Sequence, residues 1–214
     1  MTSAQQPAAF AIRHNGPRGP HPQQDRSIRT RAQVLEAAAE LFAARGYRGT
    51  SVKDVAERVG MTKGAVYFHF PSKESLAVAV VEEHYARWPA AMEEIRAQGF
   101  APLETAEEML TRAAQAFRDD PIMQAGARLQ NERAFIDAEL PLPYLDWTHL
   151  LQALLIDARK AGQLRAGVDP GAAARALVAA FFGMQHISDN LHQRTDIMER
   201  WQEMRELMFF AIRA

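Results

Sequence analysis

The side chains best placed to do chemistry lie in a short run: Thr62, Lys63, Gly64, Tyr67, His69 and Lys73, within GTSVKDVAERVGMTKGAVYFHFPSKESL. They are hydroxyls, ammonium groups and an imidazole, grouped around a glycine that lets backbone approach closely. That set suits hydrogen bonds and ion pairs to phosphate oxygens better than bond making. Tyr67 and His69 are expected to offer a hydroxyl and an imidazole outward, with Val66, Phe68 and Phe70 filling a small core. Four core aromatics remain the alternative reading of YFHF.

The elements that must position these groups follow from spacing. Val52, Val55, Ala56 and Val59 recur at the i, i+3, i+4, i+7 interval of a one-sided helix. Thr50 or Ser51 starts it, the latter with Asp54 three residues on as a capping box. Gly60 can adopt the left-handed conformation that closes a helix, and Thr62 can cap a second one over Lys63 to Phe70. Two short helices joined by about three residues are the helix-turn-helix arrangement. Pro71 ends the second helix and Ser72 caps a longer one. Lys73 in its first turn is electrostatically unfavourable unless an anion sits there.

This stretch, with RTRAQVLEAAAELFAARGYRGTS as a preceding helix, resembles the DNA-binding domain of the tetracycline-repressor (TetR) family. The resemblance implies DNA contacts from Thr62, Lys63, Gly64, Tyr67, His69 and Lys73, with Thr50 and Ser51 touching the DNA backbone and Lys53 a weaker candidate. It implies an all-α fold: a three-helix helix-turn-helix domain over residues 25–73 and a helical ligand-binding and dimerisation domain over 74–214.

Charge divides along the same line. Residues 18–73 hold ten basic and five acidic side chains, whereas the whole chain has 25 Lys and Arg against 26 Asp and Glu. A basic head on an acidic body attracts a polyanion at one end only and makes its binding salt-dependent. The first 24 residues, rich in Pro, Gln, Gly and Ala, read as a flexible arm without a secretory signal. Arg13 and Arg18 in it, and Arg26 and Arg29 just after it, could let it reach a minor groove or phosphates, with a solvated tail the alternative for Arg13 and Arg18.

There is no cysteine, which excludes a thiolate metal site and fits a cytoplasmic protein. No apolar run approaches the roughly 20 residues that span a bilayer. No two of the seven histidines have the i, i+4 spacing of a helical zinc site. With no nucleophile elbow and no phosphate-binding glycine loop, no cofactor, metal or catalytic residue is expected and an enzyme is disfavoured.

Beyond Ser72 the spacing predicts helices throughout and no strand. Val78, Val81, Tyr85, Trp88, Met92 and Ile95 make a seam on a long helix that Pro89 interrupts, with Tyr85 roughly 20 Å along the rod from its start at 1.5 Å per residue. Further helices are expected at about 105–117, 121–138, 143–161, 169–192 and 196–213. Gln130 lies in the apolar stripe Met123, Gly126, Ala127, Ala134, and an amide there needs a partner. Tyr144, Trp147, Leu151, Leu154 and Ala158 form an inward row, and Leu110, Ala113, Ala114 and Phe117 an apolar wall. Polar groups converging inside an apolar cavity suit a small ligand; ordinary core is the equal alternative. The last two helices, with a seam of Ile197, Trp201, Met204, Met208 and Ala211, read as a homodimer interface.

RLQNERAFIDAELPLPYLDWTHLLQ and the ending SDNLHQRTDIMERWQEMRELMFFAIRA resemble the branch of the family that senses γ-butyrolactone and furan signals. That likeness implies a repressor released from a palindromic double-stranded operator by a 2-alkyl-4-hydroxymethylfuran-3-carboxylic acid, or by a γ-butyrolactone. Tyr85, Gln130 and Tyr144 would then hold the polar head of the ligand, and Trp147 would lie against it. A ligand-free architectural DNA binder is the rival.

Overall fold

The computed structural model describes residues 22–214. Arg13 and Arg18 therefore lie outside the described residues. Ten α-helices follow in order: α1 (Pro22–Arg45), α2 (Val52–Arg58), α3 (Lys63–His69), α4 (Lys73–Ala86), α5 (Trp88–Ala97), α6 (Pro102–Asp119), α7 (Pro121–Asn131), α8 (Leu145–Lys160), α9 (Pro170–His192) and α10 (Ile197–Ile212). Among the described residues there is no strand, only an isolated bridge between Leu164 and Arg213. The all-α expectation holds.

The local signals act as their chemistry requires. Ser51 caps α2 and forms a reciprocal box with Asp54, and Gly60 closes that helix at φ +66°. Thr62 accepts the N–H of Ala65 to start α3, and Ser72 does the same for Ser75 at α4. Pro89 sits in the first turn of α5, so the expected rod is two helices that meet at Arg87. Asp169 caps α9 ahead of Pro170.

Two apolar cores divide the molecule. The first joins α1, α2, α3 and α4 through Phe42, Val55, Val66, Leu76 and Val80, and also takes in Ile122, Ala125 and Leu129 from α7 with Ile136 and Leu140 beyond it. The second joins α5, α6, α8, α9 and α10 around Phe117, Leu151, Phe181 and Trp201. Thus α7 packs with the head, and the packing runs across residue 73 instead of dividing there.

Several expectations are corrected. The helix expected over 121–138 ends at Asn131, followed by a 3-10 turn over Arg133–Phe135, so Ala134 leaves the apolar stripe and is exposed. The first helix begins at Pro22, which puts Arg26 and Arg29 on an ordered, exposed helix instead of a loose arm. On α4 the buried face is Ala77, Val80, Val81 and His84, one position out of register with the expected seam. Ile197 and Trp201 are buried within this chain, so the α10 seam faces its own core. The outward face carries Leu207 and Phe210, and the outward face of α9 carries Ile187 and Leu191.

Candidate functional site

The head presents α3 on the surface. Val66 and Phe70, four residues apart, are buried on one side, while Thr62, Lys63, Gly64 and Tyr67 are exposed and His69 is half-buried. Phe68 is 80% exposed and its ring meets that of His69 edge-on at 5.2 Å. Its expected burial fails for a geometric reason. Residues two apart on a helix point about 200° apart, so Phe68 faces away from the side that Val66 and Phe70 bury. Alternating roles belong to a strand. Phe68 is thus an outward apolar group that the spacing, correctly applied, would have revealed.

Two neighbours have their polar groups engaged inside the protein. Thr50 is 2% exposed, and its hydroxyl donates to the carbonyls of Gly46 at 2.9 Å and Leu41 at 3.2 Å. Its side chain is not available to DNA; it ties the α1 end to the start of α2. The Lys73 ammonium lies 3.9 Å from the Tyr47 ring centroid, and burial pushes its pKa down. That cation–π contact gives the lysine a partner without any phosphate. Ser51 remains exposed, bonded to Asp54 at 2.6 Å, and Lys53 pairs with Glu57 at 3.3 Å.

In the body, Tyr85, Gln130, Tyr144 and Trp147 do come together around one gap, with His84, Phe182, Gln185 and Asn131. Gln130 is 6% exposed, and its amide nitrogen donates to the Tyr85 hydroxyl at 3.2 Å and to the Pro141 carbonyl at 3.0 Å. Its Oε1 is buried without a partner. Burial raises the pKa of both Tyr85 and Tyr144, so both remain phenols. Tyr144 precedes α8 instead of lying on it and adopts φ +68°, a conformation uncommon for a residue with a side chain. Its hydroxyl donates weakly to Asn131 Oδ1 at 3.5 Å. The expected wall of Leu110, Ala113, Ala114 and Phe117 is fully buried core, and Phe117 stands behind His84 with ring centroids 6.1 Å apart.

His84 falls outside the expected α4 seam, which is one residue out of register with the buried face. The i, i+3, i+4, i+7 face of Ala77, Val80, Val81 and His84 contains the signal. Burial holds its pKa down to about 4, so the ring is uncharged at neutral pH. It fits because residue 126 is glycine: a Cβ there would stand 2.5 Å from the Cβ of His84.

The gap itself is about 10 Å³, room for one water-sized group. Tyr85 and Trp147 line both it and an open groove of about 610 Å³ between α4, α5, α6 and α8, lined by Trp88, Met92, Met109 and Leu150. Trp88 and Trp147 meet edge-on at 4.5 Å.

Behind Gln130, α7 is fastened to the head. Arg128 Nη1 donates to the Ala43 carbonyl at 3.0 Å, and Glu132 accepts the Tyr47 backbone N–H at 2.6 Å while pairing with Arg128 at 3.1 Å. Gly46 permits this approach, since a Cβ there would collide with the Glu132 carboxylate. Among the described residues no cluster of three metal-ligating side chains occurs, and no helix is long and apolar enough to cross a membrane.

Known proteins resemble this chain. Residues 34–80 match the model for bacterial regulatory proteins of the tetR family, and residues 102–213 match the tetracyclin repressor-like C-terminal domain. A solved structure on the molecular basis for control of antibiotic production by bacterial hormones is 86% identical, with a TM-score of 0.83 over 87% of this chain and 99% of that one. The CprB protein of Streptomyces coelicolor, solved in complex with its operator sequence, is 28% identical with a TM-score of 0.78, covering 88% of this chain and 90% of that one. The A-factor receptor protein of Streptomyces griseus is 31% identical over 85% of this chain, which spans 63% of the receptor's length. The transcriptional repressor KstR2 of Rhodococcus jostii is 32% identical over 70% of this chain and 76% of its own. With both its head and its body matched in this way, the chain belongs to the tetR family of bacterial regulatory proteins.

Proposed function

We propose that this protein is a transcriptional repressor that binds a palindromic operator as a homodimer and is released by a small signalling molecule. The signal is a 2-alkyl-4-hydroxymethylfuran-3-carboxylic acid. The observation that carries the reading is the double attachment of α7. One side of it presents Gln130 to the gap, and the other holds the end of α1 through Arg128 and Glu132. A ligand that moves Gln130 therefore moves the part of the head that sets the angle of α2 and α3.

On the DNA side, Thr62, Lys63, Gly64, Tyr67, His69 and the outward-facing Phe68 enter the groove or meet its phosphates. Ser51 and Arg29 contact the backbone. Two copies pair through α9 and α10, burying Ile187, Leu191, Leu207 and Phe210, and so present two α3 helices to half-sites about one DNA turn apart. The basic residues of the head are consistent with that role.

On the ligand side, a gap of about 10 Å³ cannot hold a furan ring. The ligand must part Tyr85 from Trp147 and merge the gap with the groove beyond, which receives the alkyl tail. Because entry requires displacement, the ligand binds the parted arrangement more tightly, and that difference shifts the population away from the DNA-bound form. A hundredfold loss of operator occupancy needs a difference of about 2.7 kcal/mol.

A γ-butyrolactone is the second reading. No lysine or arginine lines the gap among the described residues, and His84 is uncharged. A carboxylate there would rely on phenol and amide donors, with Arg133 acting only at a distance on Tyr85. Two of the relatives, the A-factor receptor and a γ-butyrolactone receptor of 28% identity and TM-score 0.75, support it. Gel shifts with Tyr85→Phe and Gln130→Ala test the site. Each should need about tenfold more ligand to free the operator. Release at the parent's ligand concentration by both variants would place the ligand elsewhere.

A further inference from the structure

The gap lies where α4, α7 and α9 meet and has the volume of a single water-sized group. Its polar atoms are of unequal kinds. Gln130 commits both amide donors, to Tyr85 and Pro141, and leaves Oε1 buried with nothing donating to it. The opposite assignment of the amide would set two oxygens against each other at Pro141, so the acceptor is fixed in place by its neighbours. The Tyr85 oxygen already accepts from Gln130, which leaves its own proton free to donate. His84, uncharged because burial holds its pKa down to about 4, lies against Gly126, and its buried Nδ1 is likewise without a hydrogen-bond partner, so it adds no charge at that edge.

A buried acceptor without a donor costs about 1–3 kcal/mol, so the group that fills this gap is selected for what it donates. We propose that the gap is a hydroxyl pocket: the ligand's O–H donates to Gln130 Oε1, and its oxygen accepts from the Tyr85 hydroxyl. An ionised carboxylate does not complete this position, having no proton for Gln130 Oε1. The ligand therefore enters hydroxyl first, with its acid or carbonyl held back toward Tyr144. This inference rests on the proposed furan or lactone reading and adds the orientation of the molecule in the site.

The test uses the full-length wild-type dimer and three compounds: a 2-alkyl-4-hydroxymethylfuran-3-carboxylic acid, the analogue with 4-methyl in place of 4-hydroxymethyl, and the methyl ether of the hydroxyl. Isothermal calorimetry gives each affinity. The 4-methyl compound should bind about 10- to 100-fold more weakly, and the ether, with no proton for Gln130 Oε1, at least several-fold more weakly than the parent. In Gln130→Ala the parent and the 4-methyl compound should bind within about threefold of each other. The wild-type comparison stands even if that variant does not fold. Equal binding of all three compounds to wild type would overturn the hydroxyl pocket while leaving a furan sensor intact. Failure of the parent furan to bind would remove the furan reading and this inference with it.

Discussion

Glu132 accepts the backbone N–H of Tyr47 at 2.6 Å, two residues beyond Gln130, which lines the gap beside Tyr85. This bond crosses from the C-terminal body to the end of α1, and Tyr47 in turn donates to Glu74 at the start of α4 at 2.5 Å. Head and body are thus joined at two points, α4 and α7, instead of by one long rod.

Breaking the second joint should separate sensing from release. Glu132→Ala leaves the Tyr47 N–H without its acceptor and removes the partner of Arg128. Calorimetry should find ligand affinity within about threefold of the parent, while the ligand concentration that frees the operator rises about tenfold or more.

Phe68 is outside the core, so truncating it should cost DNA binding and nothing else. Phe68→Ala is expected to weaken operator binding by about 1–2 kcal/mol through lost apolar contact, with an unchanged unfolding midpoint. Lys63→Ala should instead lower the salt dependence of binding by about one unit of slope. Fluorescence anisotropy at several salt concentrations distinguishes the two effects.

His84 makes stability depend on pH with a definite sign. Its ordinary pKa of 6.5 is pushed down to about 4 by burial, so the unfolded chain takes up the proton first as pH falls. Its contribution is therefore complete above about pH 6.5 and is lost progressively as pH falls toward 4. Between pH 7 and pH 5 urea unfolding should register a loss of about 2 kcal/mol from this group. His84→Gln should flatten that part of the profile.

Leu207 and Phe210 stand on the outer face of α10 with most of their surface in solvent. Leu207→Glu with Phe210→Glu should give a folded monomer by sedimentation, and that monomer should bind a single half-site only weakly. An undisturbed dimer would place the interface on another face.

Much of this was legible in the chain. The helix-turn-helix could be read because each of its signals is local: Ser51 with Asp54, Gly60 at positive φ, Thr62 and Ser72 as caps. The gathering of Tyr85, Gln130, Tyr144 and Trp147 followed from helical spacing together with family resemblance. What escaped depends on tertiary packing. A one-residue rotation of α4 hides His84 in place of Tyr85: in a helix so rich in alanine and valine the face of Ala77, Val80, Val81 and His84 is periodic, but so is the face of Val78, Val81 and Tyr85, and tertiary packing chooses between them. The end of α7 at Asn131 has no proline or glycine to announce it. The seam of Ile197 and Trp201 was periodic, as expected, but periodicity does not say whether a face meets its own core or a second copy.

The most direct test of the central claim is operator affinity of the wild-type dimer, measured by fluorescence anisotropy with and without saturating furan or butyrolactone. Coupling of the gap to the head through α7 and α4 predicts a loss of about a hundredfold or more, and a much smaller loss in Tyr85→Phe with Gln130→Ala. Unchanged operator affinity while calorimetry shows the ligand bound would contradict it.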